Sequence, residues 1–231
     1  MSYKNFICSL LFVSLPLVSM LSSADAVIIE AGADNTLYED ALGSVSNGSG
    51  AIMVVGRNNS EVDSIRRALL FFDVAGNLPY GAVVESVALK LYLNKGNGGP
   101  RELRLHRLLI DWGEGASRVN GGGQGAPAEP GDATWLNTFY PDAFWGSTGG
   151  RYVGRVSATQ LVGTTPGPYT WQSTDRLVDD VRRWLKNPAK NYGWILVGDE
   201  SVPQTAKQFA SREDVSPDLR PTLEVTYTLP E

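Results

Sequence analysis

The 231-residue sequence predicts an all-β protein: an antiparallel β-sandwich crossed by one amphipathic helix and carrying one long loop rich in glycine and aromatic residues. Three observations predict it. About ten short runs, apolar or strictly alternating, are separated by Gly, Pro, Asn and Asp. A helical period of 3.6 is strong in only one place, residues 173–188. Strands and helices do not alternate as a parallel sheet would require.

The chain opens on a segment that reads as a leader rather than as part of the fold. Lys4 is its single positive charge, Phe6 to Leu21 is mostly apolar, and Ala24-Asp25-Ala26 is an A-x-A pattern. The expectation is a cleaved secretory signal at 1–26 and a mature chain at 27–231, placed outside the cell or on its surface. Ser9, Ser14, Pro16 and Ser19 interrupt the apolar run, which falls short of the ~20 apolar residues of a membrane span. The one cysteine, Cys8, lies in the leader. The mature chain then has no disulfide and no thiolate nucleophile, and its core alone must hold it. All-β domains of ~200–250 residues are common as single units, so 27–231 is read as one domain.

Each element has its own signature. Val27–Glu30 and Ala51–Gly56 are short apolar runs. Ala68–Val74, ALLFFDV, is apolar on both faces, as a central strand would be. Ala82–Leu93 and Thr222–Leu229 alternate, with Val87, Leu89, Leu91 and Leu93 on one face of the first and Leu223, Val225, Tyr227 and Leu229 on one face of the second. Glu102–Ile110, Tyr152–Ser157, Tyr169–Ser173, Trp194–Val197 and Gln208–Ser211 complete the strands. In the helical stretch, Leu177, Val178, Val181, Trp184 and Leu185 make one stripe. Ser173 or Thr174 caps it, Asp175 and Arg182, Arg183 and Lys186 match its dipole, and Pro188 stops it. Residues 111–150 carry Trp112, Trp135, Phe139, Tyr140, Phe144 and Trp145 among many glycines. A linker would lack those rings, so this is an ordered, functional loop.

The stretches RRALLFFDVAGNLPYGAVVESVALKLYL, GDATWLNTFYPDAFW, WLKNPAKNYGWILVGDES and TAKQFASREDVSPDLRPTLEVTY together resemble the DNRLRE domain, a secreted bacterial family related to carbohydrate-binding modules. The resemblance covers nearly all of 27–229. It implies a jelly-roll sandwich that serves as an accessory module in polysaccharide-degrading enzymes or as a domain of surface and matrix proteins. Phe209, Ser211, Arg212, Glu213, Arg220 and Pro221 match its closing signature. Read as extended strand, Arg212 and Glu213 point to opposite faces. Each is expected to pair with an opposite charge on a neighbouring strand or loop, fastening the last strand, with Arg220 restarting the chain before Pro221.

No catalytic constellation stands out. Jelly-roll alginate lyases carry R-x-E-L-R, Q-x-H and a late Tyr-Phe-Lys. Here Arg101-Glu102-Leu103-Arg104 lacks the intervening residue, and neither of the other motifs occurs. His106, the only histidine, cannot build a zinc site alone. Asp111 with Glu114, and Asp179 with Asp180, do not rise above background as a glycosidase pair. A net charge of −5 argues against nucleic acid.

The expected function is therefore non-catalytic binding of a polysaccharide or glycan. Trp135, Tyr140, Trp145 and Tyr152 are the candidate stacking platforms, although rings of this type also plug loops against a core. Trp171, Trp184 and Trp194 belong to the core. For an acidic glycan, Lys90, Lys95, Arg101 and Arg104 offer a basic strip. The family resemblance allows a structural Ca²⁺, with Asp34 and Asn35 as candidate ligands and Glu30, Glu39 and Asp40 nearby. The rival reading is a matrix or surface protein that self-associates through strand edges, Val27–Glu30 included. A jelly-roll polysaccharide lyase is the third.

Overall fold

The computed structural model describes residues 24–119 and 123–230. Most of the expected leader, with Lys4 and Cys8, lies outside them. Eleven strands form the main body: β1 Asp25–Glu30, β2 Ala33–Tyr38, β3 Ile52–Arg57, β4 Ile65–Phe71, β5 Val83–Gly96, β6 Arg101–Arg107, β7 Ala158–Val162, β8 Gly167–Trp171, β9 Trp194–Val197, β10 Lys207–Ala210 and β11 Thr222–Thr228. Two helices accompany them, α1 Val74–Asn77 and α2 Asp175–Lys186.

Every pairing is antiparallel, and the strands make two layers. In the first, β5 is the spine. Leu89 pairs with Trp171 of β8 and with Leu223 of β11, so β8 and β11 lie on opposite edges of β5. Leu93 pairs with Phe209 of β10 and Gly167 of β8, which places β10 beyond β11 along the same edge. β1 flanks β11 and β3 flanks β10. The second layer runs β2-β4-β9-β6-β7. β3 joins the layers: residues 52–55 pair with β10, then Gly56 and Arg57 pair with β4. The crossing is at Gly56, whose φ of +106° a side chain would resist. This is the antiparallel sandwich that the spacing of turns predicts.

The period-two pattern decides what is buried. Val87, Leu89, Leu91 and Leu93 of β5 and Leu223 and Val225 of β11 face Ala68, Leu70, Leu103, Leu105 and Leu196 of the second layer, all essentially sealed from solvent. Each of these Val and Leu side chains contributes roughly 1.5–3 kcal/mol by leaving water. The helix α2 closes one end. Thr174 caps it by accepting from the Leu177 amide at 3.0 Å, as expected. Its stripe of Leu177, Val178, Val181 and Trp184 enters the same core, where Trp184 meets Trp194 edge-on at 4.4 Å. Trp171, Trp184 and Trp194 are core residues, as the pattern indicates.

A second apolar layer explains why ALLFF is oily on both sides. Leu69 and Ile195, with Leu37, face away from the main core and lie under Trp112, Ala133, Trp135 and Trp145 of the long loop. One local expectation fails, and one strand carries no signal in the sequence. Of Tyr152–Ser157, Tyr152 makes an isolated bridge to Leu108, and the strand comes later, at Ala158–Val162. The strand Ala33–Tyr38 was unforeseen because Asp34 and Asn35 have poor intrinsic strand preference; buried hydrogen bonds override it.

Candidate functional site

The long loop binds to its own protein first. Trp145 is fully buried, and its Nε1 donates to the Thr134 carbonyl at 2.8 Å. Trp135 is 8% exposed. The Arg67 guanidinium lies 4.9 Å above its ring and 5.8 Å from that of Tyr152. Glu200 grips the same guanidinium through two hydrogen bonds, and Gly149 accepts from it. Trp135 and Tyr152 are thus brought together around an internal cation. Trp135 and Trp145 are plugs, which corrects the expectation that they are platforms. Tyr140 is half-buried, on a small hairpin whose exposed rings are Phe139 and Phe144.

The basic strip does not form. Lys90 lies between inward Leu89 and Leu91, so it faces out from the first layer. Arg104 lies between inward Leu103 and Leu105, so it faces out from the second. The two point away from opposite sides of the sandwich. Arg104 pairs with Glu102 at 2.8 Å, and Arg101 with Asp199 at 3.2 Å.

Cations gather instead along α2. An open groove of about 910 Å³ is lined by Arg107, Leu109, Asp179, Arg182, Arg183, Lys186, Asn187, Lys190 and Tyr192. That is five cations against one carboxylate on a protein of net charge −5. Nearby Asp180 is buried and already engaged: Arg107 at 2.9 Å, Ser157 at 2.6 Å and Trp194 at 3.0 Å all reach it. Arg182 is anchored on the Val84 carbonyl, whereas no carboxylate among the described residues lies within ion-pair distance of Arg183 or Lys186. Lys190 sits 5.9 Å above the Tyr192 ring. Arg182 and Lys186 also border a more apolar groove of about 650 Å³, where Tyr80 is fully exposed. Arg183 and Lys186 suit the helix dipole, but Arg176 stands in the first turn, where the dipole disfavours it. It lines an adjoining hollow with Arg107, Arg155 and Arg183. Capping alone does not account for this run.

A second cluster lies where three segments meet. Asp34 is the second residue of β2, Glu114 comes from the long loop, and Arg212 and Glu213 form a turn one residue after β10. The turn overturns the expected geometry: the Arg212 and Glu213 side chains converge, with Nη1 donating to Glu213 Oε1 at 2.7 Å and to Glu114 Oε2 at 2.9 Å. The Arg212 amide donates to Asp34 Oδ2 at 2.7 Å, and the Asp34 amide to Glu114 Oε1 at 2.8 Å. Arg212 does pair with an acid from a distant loop, as expected. Arg220 holds the turn by donating to the Asp214 carbonyl. Next to Glu114, Gly115 has a φ of +74°, and a Cβ there would fall on the Asp132 carboxylate. Burial pushes the Asp34 carboxyl well above the usual range, and the Glu213 and Glu114 charges push the same way. Burial also raises Glu114 and Glu213. The acids in turn hold the Arg212 guanidinium above its ordinary value against the effect of burial.

Asn35 is not a free ligand. Its Oδ1 accepts from Thr36, Ser46 and Asn47, and its Nδ2 donates to the Glu114 and Ala133 carbonyls. That corrects its assignment beside Asp34. Glu39 accepts the Ser64 and Ile65 amides, and Asp40 those of Leu42 and Ser44. Glu114 was missed as a partner of Asp34; the glycines on either side of it in Trp112-Gly-Glu-Gly-Ala116 are its signal.

His106 meets Tyr152, ring to ring at 5.0 Å, and the Arg67 guanidinium lies 5.8 Å from the centre of the same tyrosine ring. The imidazole is 7% exposed, and its Nδ1 is bonded to the Val153 carbonyl at 3.0 Å. Burial depresses its pKa. These contacts are packing beneath the long loop. No protein-family model matches the chain, and no curated protein matches it significantly. The family resemblance rests on the motifs quoted above.

Proposed function

We propose that this chain is an extracellular, non-catalytic β-sandwich module that binds an acidic polysaccharide along the exposed side of α2. The observation that carries the reading is the groove lined by Arg107, Arg182, Arg183, Lys186, Lys190 and Tyr192 on an otherwise acidic surface. Arginine forks suit uronate carboxylates and sulfates, which they bind through two parallel hydrogen bonds. The rings of Tyr192 and Tyr80 supply apolar faces next to those cations, as sugar stacking needs. Each exposed ion pair is worth only ~0.2–1 kcal/mol, so affinity comes from several contacts along one chain and weakens with salt. The expectation of basic recognition is kept, and its location moves from Lys90, Arg101 and Arg104 to α2.

A glycan array of neutral and acidic polysaccharides tests this. Retention on uronate or sulfated glycans supports the reading; retention on none of them, or on neutral glycans alone, rejects it. Self-association through β1 is the second reading. Among the described residues β1 pairs on one side only, with β11, and its Ile28 is 67% exposed. Size-exclusion chromatography of the mature chain separates a monomeric binder from a polymer. A lyase would release unsaturated products from acidic glycans, and their absence on prolonged incubation would remove it.

A further inference from the structure

Asp34, Glu114 and Glu213 each bring a carboxylate oxygen within 4.8 Å of the other two. Acidic side chains crowd together on many surfaces without consequence, but these differ in two respects. Asp34 is 1% exposed, and its Oδ1 has no hydrogen-bond partner. Buried polar atoms are nearly always partnered, and an orphaned one in a charged carboxylate is costly. The charges also fail to balance. Three carboxylates face one guanidinium, and Arg212 spends its Nη1 on Glu114 and Glu213 and its amide on Asp34 Oδ2. With all three carboxylates ionised the cluster carries a formal charge of −2, and the carboxylate oxygen at its most buried point, Asp34 Oδ1, has no hydrogen-bond partner.

We propose that Asp34, Glu114 and Glu213 bind a divalent, oxygen-seeking cation of the calcium class. The charge balances with one such ion, Asp34 Oδ1 gains a partner, and the donor set is all oxygen, which suits Ca²⁺ over transition metals. The three ligands come from β2, the long loop and the turn after β10, so the ion ties segments that are 80 and 99 residues apart in the chain. It lies apart from the groove residues of α2 and stands or falls independently of glycan binding.

The test uses the mature chain, stripped with EDTA and titrated with CaCl₂ in a calorimeter, with thermal unfolding in parallel. The account expects about one ion per chain and a Tm about 5–10 °C higher at a hundredfold excess over Kd. Asp34→Asn keeps the shape, removes the orphaned charge and should lose the calcium response; Glu224→Gln, on the exposed face of β11, should keep it. If calcium neither binds nor shifts the Tm of the wild-type chain, the cluster is an ion-paired fastener and the inference is wrong. Unchanged calcium binding in Asp34→Asn would place the ion elsewhere and overturn it equally.

Discussion

Replacing Trp145 by alanine separates the two roles a ring in the long loop can have. Trp145 is fully buried against Leu37, Leu69 and Ile195, and it holds the Thr134 carbonyl through its Nε1. Deleting a buried tryptophan costs ~3–5 kcal/mol in lost transfer energy and cavity. The Thr134 carbonyl also loses its donor, adding about 1 kcal/mol. For a domain of this size each kcal/mol moves Tm by about 2–4 °C, so a fall of about 8–24 °C is expected. Trp145→Phe, which keeps most of the volume and forfeits the hydrogen bond, should fall by less than half as much. Differential scanning calorimetry reads both. A Trp145→Ala protein with wild-type Tm and lost glycan retention would refute the reasoning and make the ring a platform.

Three further outcomes follow from the same contacts. Arg212→Ala should lower Tm by about 4–8 °C: two charge-assisted bonds vanish, but the side chain is 37% exposed and solvent screening reduces the loss to about 2 kcal/mol; an unchanged melting curve would count against the fastening role. His106 is kept neutral by burial, its pKa lying below the ordinary value near 6.5. The unfolded chain then binds the proton first, so the stability this residue contributes is complete above about pH 6.5 and is lost as pH falls through its folded pKa. His106→Gln should flatten the pH 5–7 part of the stability curve, and an identical slope in the variant would exclude the linkage. Arg183→Glu with Lys186→Glu should lower Tm only modestly, by about 2–8 °C: both side chains are exposed and no carboxylate among the described residues pairs with them, but two acids in the last turn of α2 oppose its dipole at a combined ~1–2 kcal/mol; polyanion retention drops at least tenfold.

The fold was legible because its two alternating strands and its one helical stripe each match one environment. Leu89, Leu91 and Leu93 all point inward because the strand period admits no other arrangement once one of them does. ALLFF announced two apolar faces, and the sequence supplied the second cover as well, in the tryptophans of the long loop. What it did not show was that those rings and that strand belong together, because the pairing spans dozens of residues and has no period. The site was less legible for the same reason. Asp34, Glu114 and Glu213 are ordinary acids until the turn after β10 and the glycines around Glu114 bring them together. Arg212 and Glu213 looked divergent because the strand was carried through them; the chain turns there, and the two side chains fold back on one cluster. The cations of α2 were read as helix-dipole partners, and only Arg107 and Lys190, from other elements, make them a groove.

The central claim is that the cationic face of α2 holds an acidic glycan. It is tested most directly by measuring retention of residues 27–231 on a polyuronate gel across a salt series, beside the Arg183→Glu, Lys186→Glu variant. Strong retention at low ionic strength that fades toward ~1 M salt, where the screening length drops to ~3 Å, and is absent in the variant, is the predicted result. Retention that ignores salt and survives both substitutions would contradict it.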